Sequence, residues 1–236
     1  MNRMLTLWRV DRKQMMRDPI LLLTLAAPLL LLMFLKVGLP LALPYLPFAM
    51  PAEHPLYLGA LILMTPLMIG MLTGFLVLEE KGQGLYRYYA ITPLQAHGYF
   101  IFRMLLPILL SIVLSIVVVI IYGTQNVSWI VLTAAILSAT AQAPVVMLVL
   151  AVFARNKVEG LACSKLINLV LLLSAVFPFI DAWWAWGAYV LPPAWFMASF
   201  TFQDVALQIS LCAGSLLTSL LWIVYLWGKF LKKAEG

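Results

Sequence analysis

Six apolar runs, most of them long enough for a helix to cross a bilayer, decide what this chain can fold into. They cover residues 20–39, 56–78, 99–122, 129–153, 166–180 and 205–228. A spanning helix takes about 20 mostly apolar residues, because the hydrocarbon core is about 30 Å thick and a helix rises about 1.5 Å per residue. In hydrocarbon every backbone amide must be satisfied inside the chain, so such runs are expected as helices. The expected fold is an all-α integral membrane protein with six transmembrane helices. The composition agrees: 64% of the 236 residues are hydrophobic and 10% are charged, whereas a soluble domain carries roughly 25% charge. A soluble fold of this length has too little interior to hide so much apolar surface.

The fifth run is the shortest and stops at Pro178. Trp183, Trp184, Trp186, Tyr189, Pro192, Pro193 and Trp195 follow it. Tryptophan and tyrosine favour the head-group depth, and broken backbone survives in a membrane only where protein or a water-filled cavity shields it. Residues 181–198 therefore form either a re-entrant segment before the last span or a helix lying at the interface.

The basic residues set the orientation. Arg3, Arg9, Arg12, Lys13 and Arg17 precede the first run. Lys81, Arg87 and Arg103 lie between or at the ends of the second and third. Arg155, Lys157 and Lys165 lie between or at the ends of the fourth and fifth, and Lys229, Lys232 and Lys233 follow the sixth. Only Lys36 falls on the other side, whose connections otherwise carry Glu53, Asp181 and Asp204. Lys and Arg collect in cytoplasmic loops, so both termini are expected in the cytoplasm of a bacterial inner membrane. The net charge of +6 then reports topology and contact with lipid, not nucleic-acid binding.

Three regions follow from this layout. Residues 1–18 are expected as a cytoplasmic amphipathic helix at the interface, with Met1, Met4, Leu5, Trp8, Met15 and Met16 on one face. Residues 19–228 form the six-span domain, and 229–236 a cytoplasmic tail.

The connection between the second and third spans carries the most information. Glu79 and Glu80 close an apolar span. Gly82 and Gly84 permit a sharp turn, a tyrosine-rich stretch with Arg87 and Tyr88 follows, and Thr92-Pro93 suits the start of the next helix. A short helix held between turns at the membrane face suits docking to a soluble partner. These residues resemble the transmembrane permease subunit of ABC-2-type exporters, in which an acidic residue, a glycine, a short helix and Thr-Pro-Leu recur here. Glu80, Gly84, Thr92, Pro93 and Leu94 match in spacing, and the basic Arg155-Asn156-Lys157 and the Pro-Pro-Ala-Trp of 192–195 fit the wider layout. Arg87 stands where that family often has Glu.

The resemblance implies a permease subunit that forms half of a translocation pathway and is not itself an enzyme. Segment 79–98 would couple it to a separate ATP-binding subunit, with Glu80, Gly84, Arg87, Tyr88, Thr92 and Pro93 in that contact. A second permease chain, identical or different, would complete the path. ATP and magnesium would belong to the partner subunit, with no cofactor or metal in this chain. The absence of a Gly-x-x-x-x-Gly-Lys-Ser/Thr pattern fits that division. Arg155 and Lys157 are candidates for a second contact with the ATPase, against the alternative that they only orient the chain.

The alternative function is a stand-alone carrier, channel or scaffold. Carriers driven by ions usually bury charge in mid-membrane, and the central parts of these runs contain none. A Glu-Glu-x-x-x-Arg protease pattern fails because Gly stands at 84. Among polar residues within the runs, Gln142 and Asn168 are the hardest to explain by helix packing, which makes them candidates for the translocation path.

Overall fold

The computed structural model describes residues 19–42, 45, 54–83, 95–124, 126–177, 180 and 183–235. Among the described residues there is no strand, and five helical stretches are long and apolar enough to cross a membrane: Leu22–Ala42, Pro55–Gly82, Arg103–Tyr122, Trp129–Phe153 and Val205–Phe230. The chain is a multi-pass helical membrane protein. The amphipathic segment 1–18 lies outside the described residues.

Helix α1 (Pro19–Met33) passes Pro28 unbroken and ends in a π-helical turn, Phe34–Gly38, where the Leu39 N–H donates to the Phe34 carbonyl. The widened turn sits just before Pro40, which has no N–H to offer the carbonyl of Lys36. Lys36 Nζ instead donates to the Ile121 carbonyl at 2.6 Å. It thereby caps the C-terminal end of α3 (Gln95–Tyr122), where a cation also suits the helix dipole.

Helix α2 (Pro55–Gly82) is the axis of the bundle. His54 caps its N-terminus through Nδ1, and Pro55 follows at the first helical position, where a missing N–H costs nothing. Leu61, Ile62 and Leu63 are all fully buried. Three successive residues sweep about 200° of a helix, so α2 is covered on every side. Its neighbours are α1, α3, α5 (Gln142–Phe153) and α6 (Lys157–Val176). Small residues allow the closest approach: a methyl placed on Gly70 would lie 2.5 Å from the Ala143 carbonyl oxygen, and one on Gly74 would lie 2.6 Å from Leu150. This Gly-x-x-x-Gly spacing lets two backbones meet where no water drives them together.

The fourth run forms two helices, α4 (Trp129–Thr140) and α5, which meet at Ala141. Pro144 explains the break, since its ring displaces the bond that would reach back to Thr140. Pro66 and Pro107 lie within unbroken helices.

Of the expected fifth span, 166–180, residues 166–176 are the latter part of α6, which starts at Lys157 and is not among the five long apolar stretches. A 3-10 segment (Trp183–Val190) and the short buried helix α7 (Pro192–Ser199) come next. Helix α8 (Val205–Glu235) completes the bundle and carries the expected tail as a continuous helical extension.

Helix α8 also shows what surrounds the molecule. Gln208, Cys212, Ser215 and Ser219 are buried on one stripe, while Leu217, Leu221 and Val224 are exposed. Polar groups inside and large aliphatics outside is the arrangement that hydrocarbon, not water, rewards.

Candidate functional site

Two features stand out: a cluster of ion pairs at one end of the bundle and an apolar cavity that begins near its middle.

The cluster joins two connections that are far apart in sequence. Glu80, on the last turn of α2, makes a bidentate pair with Arg103 of α3. Arg103 Nε donates to Oε2 at 3.2 Å, and the second guanidinium nitrogen donates to Oε1. The Arg103 side chain is 1% exposed and that of Glu80 is 8%. A planar guanidinium matched to a carboxylate is the pairing best suited to such burial. The Glu80 carboxylate is thus engaged inside this chain. Its neighbour Glu79 meets Lys157 at 2.8 Å. That contact is ionic, without the alignment of a hydrogen bond, and is partly exposed, so its worth lies in placing α6 more than in stability.

Local chemistry fixes where α6 begins. The Asn156 side chain accepts from the Glu159 N–H at 2.9 Å, and Glu159 Oε2 reaches back to accept from the Arg155 N–H at 2.8 Å. This reciprocal capping satisfies amides that the first helical turn leaves open. Close packing holds the same turn, since a methyl on Gly160 would lie 2.7 Å from Leu78 of α2. Glu79, Glu80, Arg103 and Lys157 are therefore gathered at one end, with Arg155 beside them. Gly84, Arg87, Tyr88, Thr92 and Pro93 lie outside the described residues. Sequence reading missed both the Arg103 partnership and the Asn156 cap, although Asn-x-x-Glu was a readable signal for the latter.

The cavity has a volume of about 480 Å³ and lies among α2, α5, α6, α8 and the start of α7. Leu67, Val149, Ile167 and Trp222 give it an apolar wall, and Gln142 is its amide. Gln142 stands at the Ala141 break, 2% exposed. Its Nε2 donates to Ser215 Oγ at 3.2 Å, and Ser215 Oγ donates to the Pro192 carbonyl at 3.0 Å. Nearby, Trp222 Nε1 donates to the Val190 carbonyl at 3.0 Å. Asn168 does not join Gln142: it is exposed on α6, while Cys163, Ile167 and Val170 of the same helix face the cavity. Among the described residues no group of three or more His, Cys, Asp or Glu is placed to hold a metal.

A family model described as "Fluoroquinolones export permease protein Rv2686c-like" matches residues 11–227, which is most of the chain. The chain belongs to this family. Two relatives, "Fluoroquinolones export permease protein MT2760" and "Fluoroquinolones export permease protein Rv2686c", come from two strains of Mycobacterium tuberculosis. Each is 26% identical over 205 residues, which covers 81% of this chain and 79% of the relative. No solved structure matches. The export-permease character expected from the Glu80 to Leu94 motif agrees with the family. A transport component, not an enzyme, is what the family naming supports.

Proposed function

We propose that the chain is the transmembrane subunit of an ATP-driven exporter of the ABC-2 type, set in the bacterial inner membrane with both termini in the cytoplasm. It forms half of the pathway, pairs with a second permease chain, and couples through segment 79–98 to a separate subunit that binds ATP and magnesium. The observation that carries this reading is the ionic cluster. Glu80–Arg103 ties the start of the coupling segment to α3, and Glu79–Lys157 ties it to α6. A push on either connection from outside the bundle is passed to three helices at once. In this reading Arg155 and Lys157 form part of the docking face. Helix α6 is the fifth of six spans, and residues 181–198 are re-entrant. Support for the last point is that the Val190 and Pro192 carbonyls are bonded to Trp222 and Ser215, both well inside α8.

The cargo class is apolar or amphipathic organic compounds, consistent with the fluoroquinolones for which the relatives are named. The test is uptake of a fluoroquinolone into inside-out vesicles from cells expressing the chain. Uptake that needs ATP and survives collapse of the proton gradient is expected. Uptake indifferent to ATP and abolished by an ionophore would favour a stand-alone carrier.

A further inference from the structure

Among the described residues the cavity wall is almost wholly hydrocarbon, and Gln142 is the one amide side chain that lines it. Ser215 donates its only proton to the Pro192 carbonyl, so it meets Gln142 as an acceptor. That fixes the amide: Nε2 points to Ser215 and Oε1 points away. Among the described residues Gln142 Oε1 is buried with no hydrogen-bond partner. Folded proteins pair the great majority of their buried polar atoms, and an orphaned acceptor is a standing cost. The residue holding it lines a cavity whose volume falls within the range of small-molecule sites. Among the described residues no charged side chain lines the space, so there an ionic occupant would be buried without a counter-charge. Phe153 and Leu166, which also line it, are more than half exposed. The cavity therefore opens between α5 and α6 toward the lipid side of the bundle.

We propose that this cavity, contained within a single chain, is a binding site for a neutral, apolar small molecule bearing one N–H or O–H donor, and that Gln142 Oε1 accepts that donor. Entry is from the hydrocarbon phase past Phe153 and Leu166. A lipid acyl chain fits the wall but leaves the amide oxygen unanswered, which is why a donor-bearing occupant is assigned. Only the naming of this occupant as cargo rests on the export reading. Binding itself requires neither ATP nor a partner subunit.

The test uses the full chain in nanodiscs, with empty nanodiscs as the blank, and equilibrium binding of two radiolabelled probes. N-phenyl-1-naphthylamine carries one N–H, and 1-phenylnaphthalene has a similar apolar body and none. The donor probe is expected to bind the native chain several-fold more tightly. Gln142→Leu should weaken it about fivefold, the worth of one hydrogen bond, while leaving the donor-free probe unchanged. Gln142→Met, which keeps the side-chain length, should do the same, with monodisperse elution showing that both variants fold. Val149→Trp, which fills the space from a half-buried position, should abolish both probes. Equal affinity of the two probes for the native chain would overturn the proposal in favour of a lipid-tail pocket. Equal loss of both in Gln142→Leu would reduce the amide to a structural part. Retention of binding in Val149→Trp would place the site elsewhere, and no binding above the blank would remove it altogether. Each of these failures leaves the ATPase partnership standing, and absence of that partnership leaves the binding result standing.

Discussion

The Glu80–Arg103 pair offers the sharpest test of how the charged end is built. Both side chains are nearly excluded from solvent, so removing one takes from the other the counter-ion of a buried bidentate pair. Breaking a buried pair in this way costs about 3–5 kcal/mol, whereas replacing both members with apolar side chains is often neutral. Three variants follow: Glu80→Met, Arg103→Met and the double substitution. The singles differ in their means of escape. A carboxylate that loses its guanidinium can shed its charge by taking up a proton, but a guanidinium that loses its carboxylate cannot. Glu80→Met is therefore the more damaging single, near the upper end of that range, and Arg103→Met is milder. The double variant should be more stable than either single, giving a coupling energy of several kcal/mol in the double-mutant cycle. The assay is reversible unfolding in mixed micelles by titration with dodecyl sulfate, followed by tryptophan fluorescence. Losses that simply add in the double variant would refute the reasoning. So would singles within about 0.5 kcal/mol of the native chain, which is the scatter of ordinary surface substitutions.

The close approach of α2 and α5 predicts that Gly70→Ala destabilises by roughly 1–3 kcal/mol, the cost of overpacking, because the added methyl meets the Ala143 carbonyl and Val146. Gly82→Ala, with nothing among the described residues within 4 Å of the added methyl, is the neutral control in the same unfolding assay. Asn156→Ala should cost about 1 kcal/mol through loss of the α6 cap, and Asn156→Ser should recover most of it.

Much of this architecture was legible because the bilayer imposes a length and a composition on each span. The runs at 56–78, 129–153 and 205–228 reappear as α2, as α4 with α5, and as α8. Local chemistry was legible in part. Pro144 coincides with a break between α4 and α5, whereas Pro66 and Pro107 lie in unbroken helices, so proline alone does not mark where a span divides. The start of α6 was placed too late because Arg155 and Lys157 were weighed as topology charges, and Asn156 and Glu159 were not weighed as caps. Long-range pairings were not legible at all. Nothing local assigns Glu80 to Arg103 or Glu79 to Lys157; those contacts exist because the last turn of α2 meets the third turn of α3 and the first turn of α6. The cavity is likewise a product of how five segments cross. Gln142 drew notice only as an amide that packing explained poorly, and it now stands in the cavity wall. Asn168 drew the same notice and stands on the exposed face of α6.

The central claim is that this permease works with a separate ATPase docked on its charged end. Affinity purification of the tagged chain in mild detergent, with an ATPase assay and mass spectrometry of co-purifying proteins, tests it most directly. The account predicts a stoichiometric partner with ATPase activity, lost when residues 84–92 are scrambled in a chain that still inserts. A single chain without ATPase activity, recovered intact from cells expressing it at native level, would contradict it.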